Sequence, residues 1–313
     1  MAAPLGGCAV TVPQVAVVVV TYNAAEWVDR CLRALLEDAR PRTPFEVVVL
    51  DNASDAPTRE VLARWADRVR LHLGSENIGF GRGCNAAVAM TDAERVVLLN
   101  PDAVVREGCI DALVEALDAY PQAGLVGGRT LRPDGSVDPS SCWGRPTLWS
   151  WFCFATGLST AFRRSRLLDP ESLGRWDRGT AQEVDIVTGC LLAFERTTWD
   201  KLGGFDERFF MYAEDADLSL RAAELGLRPR ITPDAVAVHA VGASSARAHK
   251  LRLLMTGKAT LARLHWAPWR ARTGVALLLA GAAVRGLGER ALGRTPSWGT
   301  LVSDRSWTRG WPA

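Results

Sequence analysis

Three aliphatic runs frame this chain, at residues 15–20, at 47–50 within the strand-like stretch 45–50 that opens with Phe45-Glu46, and at 96–99. Side chains alternate across a strand, so a run without polar interruption is apolar on both faces and belongs inside a sheet covered on both sides, as parallel sheets are. Each run ends in a polar cluster: Thr21-Tyr22-Asn23, Asp51-Asn52-Ala53-Ser54-Asp55 and Asn100-Pro101-Asp102. Pro101 has no N–H to give a ladder and restricts Asn100 before it, so the chain leaves the sheet there and frees Asp102 at the strand's carboxyl end. Helical spacing separates the runs, with Trp27, Cys31, Ala34 and Leu35 on one face and a second helix over 58–65. Strands alternating with helices predict βαβ units in an α/β fold, and the polar clusters then converge at one sheet edge, where such sheets bind ligands.

Downstream, 69–73 reads as a short strand, and the loop holding Asn77, Gly79 and Asn85 leads into a helix to about Met90. An amphipathic helix over 110–120 stops before Pro121, and 124–128 reads as another strand. Residues 141–183, rich in Trp, Phe and Arg but without periodicity, read as a long, partly ordered segment over the cleft. Strand character returns over 184–194, and a helix after Tyr212 stops at Gly226. In that helix Asp215, Leu218, Ala222 and Leu225 share one stripe, which puts Asp215 on the buried face. Asp217 sits four residues before Arg221 and reads as an exposed ion pair. Glu214 and Asp217 also suit the positive end of the helix dipole. A buried carboxylate needs a partner or a task, which makes Asp215 the candidate acid–base residue. The last strand, 231–239, ends at His239, a structural hydrogen-bonder or a ligand, with Gly242, Ser244 and Ser245 beyond it.

Composition adds two constraints. The seven cysteines form no Cys-x-x-Cys pair and suit free thiols in a reducing compartment. Residues 15–20 are too short to span a bilayer and no basic residue precedes them, so the expected location is cytoplasmic. The net charge of +2 conceals an asymmetry: from Arg247 onward there are 12 Lys and Arg against Glu289 and Asp304, leaving 25 basic and 33 acidic residues before it. A basic tail on an acidic body calls for an anionic partner, and five of the twelve tryptophans lie in the tail, which favours an anionic membrane surface over nucleic acid. The tail's apolar stretch over 251–266 ends at Pro268, and the apolar block 274–284 suits an interfacial helix or a helix packed on the body.

In order, the motifs VVVVTYN (17–23), VVLDNASD (48–55), ENIGFGRGCN (76–85), LLNPDA (98–103), TGCLLAF (188–194) and GGFDERFFMYAEDADLSLRAAELG (203–226), followed by His239, resemble the family 2 inverting glycosyltransferases, particularly their rhamnosyltransferase-like branch. The resemblance spans 15–245 and implies a GT-A catalytic domain there, after a lead-in at 1–14 and before a helical tail at 246–313. It also implies a nucleotide-sugar donor such as dTDP-rhamnose, a polyprenyl-diphosphate-linked or other saccharide acceptor, Mg²⁺ or Mn²⁺, and work at the inner face of the plasma membrane. Carried over by position, Thr21, Tyr22 and Asn23 border the base, Asp51 holds base or ribose beside Asn52, and Asn77, Gly79 and Asn85 shape the nucleotide loop. Asn100 and Glu214 join the donor site, Asp102 ligates the metal with His239 as second ligand, and Asp215 is the base. Many members carry an acid where this chain has Asn100, so tight metal binding is expected to need the donor's phosphates. A catalytically silent scaffold and a sugar nucleotidyltransferase are the competing readings. A dehydrogenase is disfavoured, since Cys84 stands where the dinucleotide fingerprint needs glycine or alanine.

Overall fold

The computed structural model describes residues 13–240 and 247–312; most of the lead-in, with Cys8, and the Gly242–Ser245 run fall outside them. In chain order the elements are β1 (Val15–Thr21), α1 (Ala25–Arg33), β2 (Phe45–Asp51), α2 (Ala56–Trp65), β3 (Arg70–Leu73), α3 (Phe80–Val88), β4 (Arg95–Leu99), β5 (Ala103–Val105), α4 (Cys109–Ala119) and β6 (Leu125–Leu131). Then come β7 (Cys142–Trp143), α5 (Leu148–Thr156), α6 (Leu158–Ala161), β8 (Gln182–Glu183), β9 (Ile186–Val187), β10 (Leu191–Glu195), α7 (Arg196–Leu202), α8 (Glu214–Glu224) and β11 (Arg230–His239). The tail forms α9 (Arg247–His265), α10 (Pro268–Ala291) and α11 (Trp298–Ser303).

The aliphatic runs become the middle of a nine-stranded sheet, ordered β3-β2-β1-β4-β10-β6-β11-β5 with β8 beside β11. Alternation sorts their side chains between two layers. Val17, Val19, Val49, Val97 and Leu99 pack with Val28, Leu32, Leu62 and Leu113 of the helices on one face. Val18, Val20, Val48, Val96 and Leu98 pack with Cys84, Val88, Trp199 and Leu218 on the other. Parallel pairing runs through β3, β2, β1 and β4. The interior of a wholly parallel sheet, expected for 96–99, is corrected: β4 has β10 antiparallel on its other side. The carboxyl ends of β1, β2 and β4 still share one edge.

The segment 141–183 is more regular than expected. Thr147 caps α5 by accepting from Ser150 N at 3.0 Å, while Ser150 Oγ takes the Thr147 N–H, a capping box. Trp151 on α5 then packs with Met255 and Ala259 of α9, Leu278 and Ala282 of α10, and Leu301 and Trp307 beyond. This separate core is shared by the middle of the chain and its tail, so the 274–284 block is mostly spent on internal packing. Pro268 does break the tail where expected, as the first residue of α10. The six described cysteines are free and buried.

Candidate active site

Asn100 and Asp102 follow β4 as the aliphatic run predicts. Asn100 N donates to Cys190 O at 2.9 Å, and Ala103 N closes a turn onto Asn100 O at 3.1 Å. The turn sends β5 back antiparallel to β11, with Ala103 opposite His239. Sheet register thus brings His239 Nε2 to 3.1 Å from Asp102 Oδ1 across 137 positions. Behind the ring, Nδ1 lies 3.5 Å from Asp138 Oδ2. Burial pushes the His239 pKa down, but the two carboxylates outweigh it and lift it to about 9. Burial raises Asp138, yet the neighbouring His239 ring and bonds from Ser140 leave it below its ordinary value. Asp138 escaped the sequence reading: it lies on a turn, and no local spacing links it to His239.

Between β11 and the start of α8 lies a cavity of about 450 Å³, lined by Asn100, Thr188, Gly189, Glu214, Asp215 and His239 among others. Tyr212 and Ala213 both have positive φ, +68° and +73°, immediately before α8. Non-glycine residues held this way carry strain of about 1–3 kcal/mol each, typical of functional turns. Here the turn delivers Asp215 to the cavity. Its Oδ2 accepts from Gly189 N at 3.1 Å and its Oδ1 from Ala216 N at 2.8 Å. Burial raises the Asp215 pKa against these bonds. Glu214 is more deeply buried, its Oε2 has no partner among the described residues, and burial and the neighbouring Asp215 push it well above the carboxylate range. Burial thus raises both acids, but Asp215 accepts two backbone N–H bonds that oppose the rise while Glu214 Oε2 has none among the described residues.

The reading of Asp217 as an exposed ion pair is corrected. It is 2% exposed and bridges Arg221 at 2.7 Å and His265 Nε2 of α9 at 2.8 Å. The pairing with Arg221 was legible, but its burial was not, because the cover comes from a helix 48 residues away. Leu225, placed on the buried stripe, is exposed.

The base-side residues gather at the ends of β1 and β2. Tyr22 is exposed, and Asn23, at φ +49°, accepts from Asp55 N at 2.8 Å while its own N–H bonds Ser54 Oγ at 2.9 Å. Thr21 is buried, with Oγ1 unpartnered. Asn52 donates to Asn77 Oδ1 at 2.9 Å and Gly79 O at 3.0 Å and accepts from Ile78 N, which shapes the loop. Gly79 has φ +88°, and a Cβ there would overlap the Phe210 carbonyl. Asp51 shares this edge with no exposed surface; Ser54 N and Arg59 Nε, at 3.2 and 3.0 Å, occupy its oxygens, so it sets the turn. Asn85 bonds the Phe205 backbone through both amide atoms and fastens α3 to the loop before α8.

The pattern of glycosyl transferase family 2 matches residues 16–169. An N-acetylglucosaminyl-diphospho-decaprenol L-rhamnosyltransferase of Mycobacterium tuberculosis is 32% identical over 276 residues, 82% of this chain and 86% of its own. Among solved structures, the mannosyltransferase PcManGT of Pyrobaculum calidifontis, in complex with GDP-Man and Mn²⁺, aligns with a TM-score of 0.56 at 25% identity over 96% of this chain and 84% of its own. GalNAc-T7 with UDP, GalNAc and Mn²⁺ aligns with a TM-score of 0.61 at 13% identity over 97% and 59%, a likeness of fold.

Proposed function

Given that the chain belongs to glycosyl transferase family 2, with its GT-A fold and glycosyltransferase activity, we propose that it transfers rhamnose from dTDP-rhamnose to a hydroxyl of a polyprenyl-diphosphate-linked saccharide, with inversion. The observation that carries this reading is one cavity holding both a half-buried Asp215, whose pKa burial raises, and the His239 end of the His239–Asp102 pair. A hydroxyl entering the cavity would give its proton to Asp215 as its oxygen attacks the anomeric carbon, and a single displacement inverts that centre. The two backbone N–H groups on Asp215 fix its orientation beforehand. Thr21, Tyr22, Asn23, Asn52, Asn77 and Gly79 would wall the base, with Asp51 and Asn85 bracing them.

Asp102 and His239 suit Mg²⁺ or Mn²⁺, with Asn100 beside them. Asp138 behind Nδ1 would keep a proton there, so that Nε2 could offer its lone pair to the ion once Nε2 gives up the proton it shares with Asp102. With only these two protein ligands, the donor's phosphates and water would have to supply the rest, so affinity for the ion should depend on the nucleotide. When bound, the ion would neutralise charge on the departing diphosphate. The mannosyltransferase structure described above contains Mn²⁺, which supports this assignment.

Asp215→Asn should lower transfer by about 10²–10⁴-fold while leaving dTDP binding with Mg²⁺ intact in a thermal-shift titration. Near-normal turnover would remove Asp215 from the role. A cytoplasmic protein peripheral to the inner membrane face suits a lipid-linked acceptor. The supporting surface is an exposed cluster on and beside α5, where Trp149 stacks on Phe152 at 5.5 Å and donates to Leu167 O.

A further inference from the structure

The tail helix α9 builds a wall of the same cavity, through Lys250, Leu254, Lys258 and Leu261. Spaced at i, i+4, i+8 and i+11, these residues form one stripe, and the helix is held firmly enough to aim it. Gly257 sits so close to the turn before α8 that a Cβ would overlap the Tyr212 carbonyl oxygen. Two turns further on, His265 bonds Asp217, and Leu261 packs with Ala216 and Leu220 between these points. The stripe is therefore clamped to the helix that carries Asp215.

Its two cations differ. Lys258 Nζ lies 2.8 Å from Glu171 Oε2, which offsets its charge. Half-buried Lys250 makes no ion pair among the described residues. An ammonium group partly withdrawn from water, beside leucines and over a cavity, is best satisfied by an anion brought by a ligand.

We infer that the α9 stripe is a diphosphate-binding site, with Lys250 as its principal cation and Lys258 as its second, and that it receives the diphosphate of the acceptor. The inference rests on the proposed function in one respect: an acceptor sugar offering its hydroxyl to Asp215 must lodge its own diphosphate elsewhere in the cavity. Asp215 disfavours that group on its own side of the cavity, and the Asp102–His239 pair is assigned to the donor. Leu254 and Leu261 suit the apolar flank of the ligand.

The test is calorimetric titration of the full chain with farnesyl diphosphate, and separately with dTDP plus Mg²⁺. Lys250→Gln should weaken farnesyl diphosphate at least about tenfold and leave dTDP unchanged, while Lys250→Arg retains much of the binding. Selective loss of dTDP would identify the donor as the source of the diphosphate held there. Failure of the wild type to bind farnesyl diphosphate, with dTDP binding unaltered in Lys250→Gln, would overturn the site, as would unchanged titrations in both variants. A parallel transfer assay separates the two readings. Lys250-dependent binding without sugar transfer would leave the site standing and sink the proposed reaction, whereas transfer with Lys250-independent binding would do the reverse.

Discussion

At the start of α8, Glu214 and Asp215 are chain neighbours in different surroundings, and the difference is measurable. Glu214 is buried without a partner for Oε2, so its folded pKa lies well above the unfolded value of 4.5. Between those values the folded protein keeps a proton that the unfolded chain has released. Raising the pH through that window therefore favours unfolding, and the contribution of Glu214 to stability is complete only below 4.5. Glu214→Gln, which is neutral throughout, should melt on the order of a few degrees higher than the wild type at pH 7–8. The gap should close as the pH approaches 4.5; a gap independent of pH would show that the carboxyl is not titrating. Neither the depth of Glu214 nor its missing partner is legible along the helix. Periodicity singled out Asp215, but helical phase alone overstated its burial relative to Glu214.

At the scale of elements, glycines distinguish contacts that matter from those that do not. Gly257→Ala forces α9 away from the Tyr212 backbone, which cannot yield as a side-chain tip would. About 1–3 kcal/mol of lost stability should follow, together with weaker farnesyl diphosphate binding. Gly288 lies inside α10 with open space around its Cβ position. Gly288→Ala should instead stabilise by up to about 1 kcal/mol through helix propensity. Chemical denaturation of both variants reads the two signs, and a stabilising Gly257→Ala would mean that α9 is loosely seated. The elements themselves were mostly readable: β1, β2, β4, α4 and α8 follow runs, periods and stop residues. Residues 141–183 were not, since α5 owes its order to a cap and to partners on α9 and α10.

For the molecule as a whole, charge and packing make separate demands on the tail. Its basic excess suits an anionic surface, while part of its apolar surface is engaged inside: Trp307 is buried and a Cβ at Gly274 would strike Trp151 and Trp266, whereas Trp269 stays exposed. Removing residues 247–313 would uncover Trp151, so the truncated chain should aggregate, and it makes a poor probe of membrane binding. The double variant Trp149→Ser, Phe152→Ser removes the exposed pair instead. It should reduce sedimentation with phosphatidylglycerol vesicles several-fold, by about 1 kcal/mol or more, with dTDP binding unchanged; undiminished sedimentation would discard this face as the contact.

By itself the sequence determined the alternation of strands and helices and the sheet edge where Asp102 emerges, and it marked Asp215 and His239 as candidates, which the fold then places on one cavity. Those properties are encoded in periods of two and 3.6 and in the residues that end them, all within a few positions along the chain. Tertiary structure alone decided that Asp138 backs His239, that Asp217 is covered by His265, and that the tail's lysines line the cavity that holds Asp215. These depend on register and close packing between segments tens to more than a hundred positions apart, where no local period records which side chain will meet which.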